Sequence, residues 1–305
     1  MKHIALIIGN GFDLSLGFPT SFSDFIESDE FGELLNIGNR LCLYLSEVNM
    51  NFRWIDVEIE LANYSVSHPY DEDLIDEYEE LKDAFFEYIS NVDSQKLEID
   101  QNSNAYMVLG ENYFGKLDKS DEFKVEIINF NYTETVERIK RSLFGESFGE
   151  FFEVLLEIND LLGGEKPAEH IRFWYPHGSI KNNYIIMGVQ DSAKISEEHT
   201  FLKKTCDINY ERFPSRLLEE CDEVIFFGHS LGETDHTYFK RFFLNQCEED
   251  ADYKKIIISY YKRTGYNQIV KQLDKLTNHN VGKLKENNDL RLIDVSQEFA
   301  WEKFE

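Results

Sequence analysis

The sequence predicts an α/β fold: a doubly wound, mostly parallel sheet of Rossmann type that carries a helical insertion. Three observations predict it. Short apolar runs of buried-strand length recur along the chain, most without strict alternation, as parallel strands covered on both faces require. Helical periodicities lie between them. Unusual polar and glycine-rich stretches follow the strands directly, at the strand ends where an open α/β sheet gathers its ligands.

Taken in order, the strand runs are 3–8 (HIALII), 124–130 (KVEIINF), 171–175 (IRFWY), 184–187 (YIIM), 223–227 (EVIFF), 255–261 (KIIISYY) and 290–295 (LRLIDV). Helical patterns cover 133–144, 147–162, 214–221, 236–248 and 265–277. From 20 to 120 the rhythm breaks, with helix-like segments at Phe31–Ser46, Trp54–Tyr64 and the acidic Asp71–Asn91. This stretch is expected to be a helical insertion or cap, placed at 26–120 within a single domain spanning 1–305. Caps of this kind close over ligands. Within it, helical spacing puts Trp54, Glu58 and Leu61 on one face. A carboxylate on such a stripe is either paired structurally or aimed at a site, and burial there raises its pKa.

Composition narrows the function classes. Hydrophobic residues make up 42% of the chain, with 25 Phe, 16 Tyr and 3 Trp, enough for a packed interior. Lys and Arg number 31 against 58 Asp and Glu, a formal net charge of −27 that repels polyanions and argues against broad nucleic-acid binding. The pairs Lys203-Lys204 and Lys254-Lys255 are the places where a local basic patch could form, and adjacent lysines are ordinarily solvated surface. The opening Met1-Lys2-His3 and its short apolar run lack the core and cleavage site of a signal peptide, and no stretch approaches the roughly 20 apolar residues of a membrane span. A cytoplasmic protein that does not bind a membrane is expected. Cys42, Cys206, Cys221 and Cys247 form no C-x-x-C pair, so neither a zinc knuckle nor a redox dithiol is expected, and no metal.

Four strand ends carry the chemistry. After the first comes Gly9-Asn10-Gly11-Phe12-Asp13, then Gly17-Phe18-Pro19-Thr20. The glycines would let a phosphate approach the backbone near a helix N-terminus, or they serve only a tight turn. After 124–130 comes Asn131-Tyr132-Thr133. A buried asparagine needs partners for both amide ends, so Asn131 either ties down a loop or holds a ribose hydroxyl or a water. After 171–175, Pro176-His177-Gly178 sets a histidine on a forced turn, either packed or poised to take a proton. After 223–227, Gly228-His229-Ser230-Leu231-Gly232 spells the G-x-S-x-G of a nucleophile elbow, followed by Thr234-Asp235.

Together these segments resemble the AbiH family of bacterial abortive-infection proteins. The matching pieces are LIIGNGFDLSLGFPTSFSDF at 6–25, WIDVEIEL at 54–61, INFNYT at 128–133, HG at 177–178 and IFFGHSLGETDHTYF at 225–239. The resemblance implies a role in defence against bacteriophage, in which infected cells are sacrificed or growth halts. The same series is also similar to the sirtuin-like NAD-binding fold. That likeness implies that the first loop, with Gly9, Asn10, Gly11, Phe12, Asp13, Pro19 and Thr20, embraces the pyrophosphate and nicotinamide ribose. It implies that Asn131 and His177 flank the reacting ribose beside Tyr132 and Gly178, and that Gly228, His229, Ser230 and Asp235 meet the adenosine side. Two departures stand out: Thr133 occupies a position where sirtuin-like defence proteins often have aspartate, and the four-cysteine zinc module of the deacetylases is absent.

The activity so implied is NAD⁺ glycohydrolysis, with His177 as general base and Asn131 orienting the water or a ribose hydroxyl. Two other classes stay open. One is a non-catalytic nucleotide-binding sensor in phage defence. The other is a serine hydrolase using Ser230, with Asp235 or Asp274 and His236 or His279 in the 75 residues that follow it. The expected partners are a nucleotide, a phage-derived trigger and further copies of the chain.

Overall fold

The computed structural model describes residues 2–52, 56–95, 100–110, 123–144, 171–210, 213–214 and 216–297. The helix expected at 147–162 and the side chain of Trp54 lie outside them. Six strands form one sheet: β1 (Lys2–Ile8), β2 (Phe123–Asn129), β3 (Ile171–Trp174), β6 (Glu223–Phe227), β7 (Lys255–Tyr260) and β8 (Asp289–Asp294), ordered β3-β2-β1-β6-β7-β8. Every neighbouring pair is parallel. Counted within this sheet, the order is 3-2-1-4-5-6, that of a doubly wound Rossmann-like fold, whose strand order reverses between β1 and β6.

The unbroken apolar runs now have their reason. In β1, Ile4, Leu6 and Ile8 face one core while Ala5 and Ile7 face the other, so successive residues are all buried. Phe12 of α1 (Gly11–Ser15), α7 (Asn104–Gly110) and α8 (Thr135–Phe144) cover the first face. The second is covered by α9 (Leu217–Glu220), α10 (His236–Asn245), α11 (Lys262–Leu276) and α12 (Val281–Asn287). No helix among the described residues is long and apolar enough to cross a membrane.

The insertion is helical, as expected: α2 (Phe22–Ile26), α3 (Asp29–Ile37), α4 (Arg40–Phe52), α5 (Val57–Ser67) and α6 (Leu74–Ser94) surround their own core. Sequence signals set its helix ends. Ser21 and Asp24 form a reciprocal capping box on α2, Ser28 caps α3, and Gly38 ends α3 at φ +87°. Phe25 is the packing centre, with ring centroids of Phe22, Phe31, Phe85 and Tyr88 at 5.1–5.4 Å. The α7 segment, inside the expected insertion, packs on the sheet instead.

Three expectations need correction. The run 184–187 is not a strand of the main sheet: Tyr184–Ile185 (β5) pairs antiparallel with Gly178–Ser179 (β4) as a separate hairpin. Only four residues separate them, and Asn183 turns the chain at φ +60°, whereas a parallel crossover needs a dozen residues or more. Neither lysine pair is simply solvated surface, and neither forms a basic patch, because Lys204 and Lys254 are buried. Lys254 donates to the carbonyls of Glu219 and Cys221, both at 2.7 Å. Finally, α12 was not anticipated, since Val281–Asn287 has too few apolar positions to show a period.

Candidate functional site

Because β3, β2, β1 and β6 are adjacent and parallel, their carboxyl ends open side by side, and the four strand-end motifs converge on one edge of the sheet. At the β1–β6 switch point two backbones pass in contact. Gly9 N–H donates to Phe227 O at 3.0 Å, Gly11 N–H to Gly228 O at 2.9 Å and Phe12 N–H to Gly9 O at 2.9 Å. Gly228 sits at φ +68°, and a Cβ on it would lie 2.2 Å from Phe12 N. The glycines thus admit a neighbouring loop, and three backbone donors expected to hold phosphates are spent within the protein. Asn10 and Thr20 are tied to each other: the Thr20 hydroxyl donates to Asn10 Oδ1 at 2.6 Å and Asn10 Nδ2 to Thr20 O at 3.1 Å. Pro19 O accepts from Tyr88 of α6 at 2.6 Å, fixing the loop to the insertion.

Two polar groups flank the end of β2. The first centres on Lys204, whose N–H donates to Val189 O at 3.0 Å on a loop held close by Gly188. Its ammonium lies 2.5 Å from Glu58 Oε1, 3.0 Å from His177 Nε2 and 3.4 Å from Asp235 Oδ1. An ammonium only donates, so His177 Nε2 accepts and carries no proton. On the far side, Leu231 N–H donates to His229 Nδ1 at 3.0 Å, which leaves His229 Nε2 protonated and facing Asp235 Oδ2 at 3.4 Å. Gly178 (φ +72°) makes the turn that carries His177; a Cβ there would meet Tyr184 O at 2.6 Å. Phe130 lies edge-on to both imidazoles at 5.0 and 4.7 Å, and the Tyr132 ring stacks near His177 at 6.2 Å.

These surroundings set the charges. Burial pushes the His177 pKa down to about 4, with the Lys204 charge adding to it, so the ring is neutral at pH 7. Burial alone would raise the Asp235 carboxyl, but the Lys204 ammonium above all, with the His229 N–H, holds it well below the ordinary range. Lys204 is kept cationic against burial by Glu58 and Asp235. Glu58 goes the other way: burial outweighs Lys204, and Asp235 and Asp56 add to it, pushing its carboxyl up to about 7. Asp56 places Glu58, since its side chain caps α5 by accepting from Ile59 N–H at 3.3 Å.

The second group holds Asn131. Successive side chains at the strand end point to opposite sides, so Phe130 and Tyr132 reach His177 while Asn131 turns to Asp13 of α1. Asp13 Oδ2 accepts from Thr133 Oγ1 at 2.6 Å, and Thr133 in turn meets Thr135 at 2.7 Å. Thr133 is thus tied to a carboxylate that comes from another loop, Asp13. Burial lifts the Asp13 pKa to about 6, opposed by Thr133, Thr135 and the nearby Asn131 amide. Asn131 is 4% exposed, yet neither Nδ2 nor Oδ1 makes a hydrogen bond of normal geometry among the described residues. Asp13 Oδ1 and Glu58 Oε2 are likewise buried and open.

The structure thus joins His177, His229, Asp235 and Glu58 in one group and Asn131 with Asp13 in its neighbour. It gives Ser230 a different place. Ser230 is exposed, its Oγ accepts from Gly232 N–H at 3.2 Å, and none of the hydrogen bonds among the described residues joins it to a histidine. His236 bonds Leu231 O and Gln272, and His279 pairs with Asp274 on the surface. Ser230→Ala is expected to change stability by less than about 0.5 kcal/mol in urea unfolding, and a fluorophosphonate probe is expected not to label the protein. Sequence reasoning missed Lys204, the hub of the first group, and the structural use of Thr133 and Thr135. A lysine with no periodic pattern around it carried no signal of burial.

Comparison with known proteins adds one match. The sequence profile of the family described as bacteriophage abortive infection AbiH covers residues 5–260, a span that contains both polar groups and all but one strand of the main sheet. Among curated proteins, none matches the chain. The chain belongs to the AbiH family and is a bacteriophage abortive-infection protein.

Proposed function

We propose that this defence protein binds NAD⁺ or a related nucleotide at the carboxyl edge of β3, β2, β1 and β6 and hydrolyses its bond between ribose and nicotinamide. The observation that carries the reading is the concentration of unmet hydrogen bonding there. Asp13 Oδ1 and both amide ends of Asn131 in one group, and Glu58 Oε2 in the other, are buried and open on either side of the β2 end, along an edge where this strand order binds dinucleotides. Three of those four atoms accept, which suits a ligand portion that donates, such as ribose hydroxyls or an attacking water.

Cleavage of the glycosidic bond develops positive charge on the ribose, so the site must position ribose and water more than supply a strong nucleophile. The buried carboxylate of Asp235 favours that charge, and α10, which begins beside it at His236, offers an N-terminus to the anionic part of the ligand. Asn131 holds the water or a ribose hydroxyl. His177 is the base suggested by the sequence; being neutral it can accept a proton at Nε2 once Lys204 withdraws from that nitrogen. Calorimetric titration with NAD⁺ tests the reading: wild type binds, and Asn131→Ala weakens binding at least tenfold, a loss of about 1.4 kcal/mol. Equal affinity in the two would remove Asn131 from the site.

A further inference from the structure

We propose that Glu58, reaching in from the insertion, is the residue that takes the proton from the attacking water, with Lys204 positioning it. The inference rests on the nucleotide-hydrolysis reading above and changes which residue performs the proton transfer. Its basis is the division of labour around Lys204. Glu58 Oε1 is held at 2.5 Å by the ammonium, so the carboxylate is oriented, while its other oxygen, Oε2, is buried and open. His177 is the reverse case: the nitrogen that faces the group, Nε2, already accepts from Lys204. Both oxygens of Asp235 are engaged, Oδ1 by the Lys204 ammonium and Oδ2 by the protonated Nε2 of His229. Of the acidic and imidazole groups around Lys204, Glu58 therefore has the open acceptor atom.

In the step itself, water gives a proton to Glu58 Oε2 as its oxygen bonds to the anomeric carbon. The carbon–nitrogen bond breaks, and its electron pair neutralises the pyridinium nitrogen, so neutral nicotinamide leaves and ADP-ribose remains. Glu58 then returns the proton to solvent. Lys204 keeps Oε1 fixed and the adjacent imidazole neutral throughout.

The groups that face Glu58 are Lys204 and Asp235 from the loops, Asp56 on its own helix, and Tyr132, Tyr78 and Tyr238 from β2's end, α6 and α10. Their balance leaves the carboxyl titrating near pH 7. A base works when deprotonated, so the rate is expected to rise with pH through about 7.

The test compares nicotinamide release by wild type, Glu58→Gln, Glu58→Asp and Glu60→Gln, each full length and checked for folding by urea unfolding. Glu60 lies on the same helix but bonds Tyr44, outside the site. Glu58→Gln is expected to lower kcat at least about 100-fold while NAD⁺ binding changes less than threefold, and to lose the rise with pH. Glu58→Asp should recover part of the rate, and Glu60→Gln should match wild type. A Glu58→Gln protein that keeps the wild-type rate or the rise with pH overturns the proposal and leaves the nucleotide reading standing. A wild type that releases no nicotinamide overturns the nucleotide reading, and this proposal with it.

Discussion

Lys204→Met is expected to cost the fold about 3–5 kcal/mol at pH 8, because it removes the cation from a buried group and leaves two carboxylates behind. The exposures decide the size: the side chains of Lys204, Glu58 and Asp235 are 4%, 16% and 13% exposed, so water can replace little of what the ammonium supplies. The pH dependence follows from the same geometry. Without Lys204 both carboxyl pKa values rise, that of Glu58 from about 7 and that of Asp235 from below its ordinary range, since burial and mutual repulsion lose their main opponent. A carboxyl with a raised folded-state pKa destabilises the fold as pH climbs through it. The loss is therefore smaller at pH 5, where Glu58 holds a proton, than at pH 8. Urea unfolding at the two pH values measures it, and a loss under about 1 kcal/mol at pH 8 would mean that Lys204 is solvated.

Gly228→Ala is expected to be nearly as damaging, by about 3 kcal/mol, for a reason confined to the backbone. At φ +68° a side chain is strained, and the new Cβ would lie 2.2 Å from Phe12 N and 2.6 Å from the Gly11 carbonyl carbon, neither of which can step aside. Gly17→Ala is the control. Its φ is +84° but nothing lies within 4 Å of the added carbon, so only the conformational strain of about 1 kcal/mol applies. Equal losses in urea unfolding would show that the contact between the β1 and β6 loops yields easily. Gly228→Ala should also weaken nucleotide binding, because the displaced loop carries His229 and Asp235.

What the sequence made legible was local. Continuous apolar runs announced strands buried on both faces, and β1, β2, β3, β6, β7 and β8 fall within about a residue of the expected bounds. Glycine, proline and polar residues after those strands marked the edge where the two polar groups lie. What stayed hidden was set by distant partners. Gly9, Gly11 and Gly228 look like a phosphate loop and an elbow when taken apart, and only their mutual approach shows that each makes room for the other. Lys204 resembles half of a surface pair until Glu58, His177 and Asp235, brought from three other segments, surround it. Asp13 could be placed on the first loop, but its contact with Thr133 spans 120 residues of sequence.

The central claim is that this edge of the sheet consumes a nucleotide in the service of phage defence. Nicotinamide release tests it most directly: purified wild type and Asn131→Ala are incubated with NAD⁺, alone and with extract of phage-infected cells to supply a trigger. Nicotinamide and ADP-ribose are expected in equal amounts from wild type and at least about 100-fold less from Asn131→Ala. No release from wild type in either condition, together with no NAD⁺ binding by calorimetry, would contradict it.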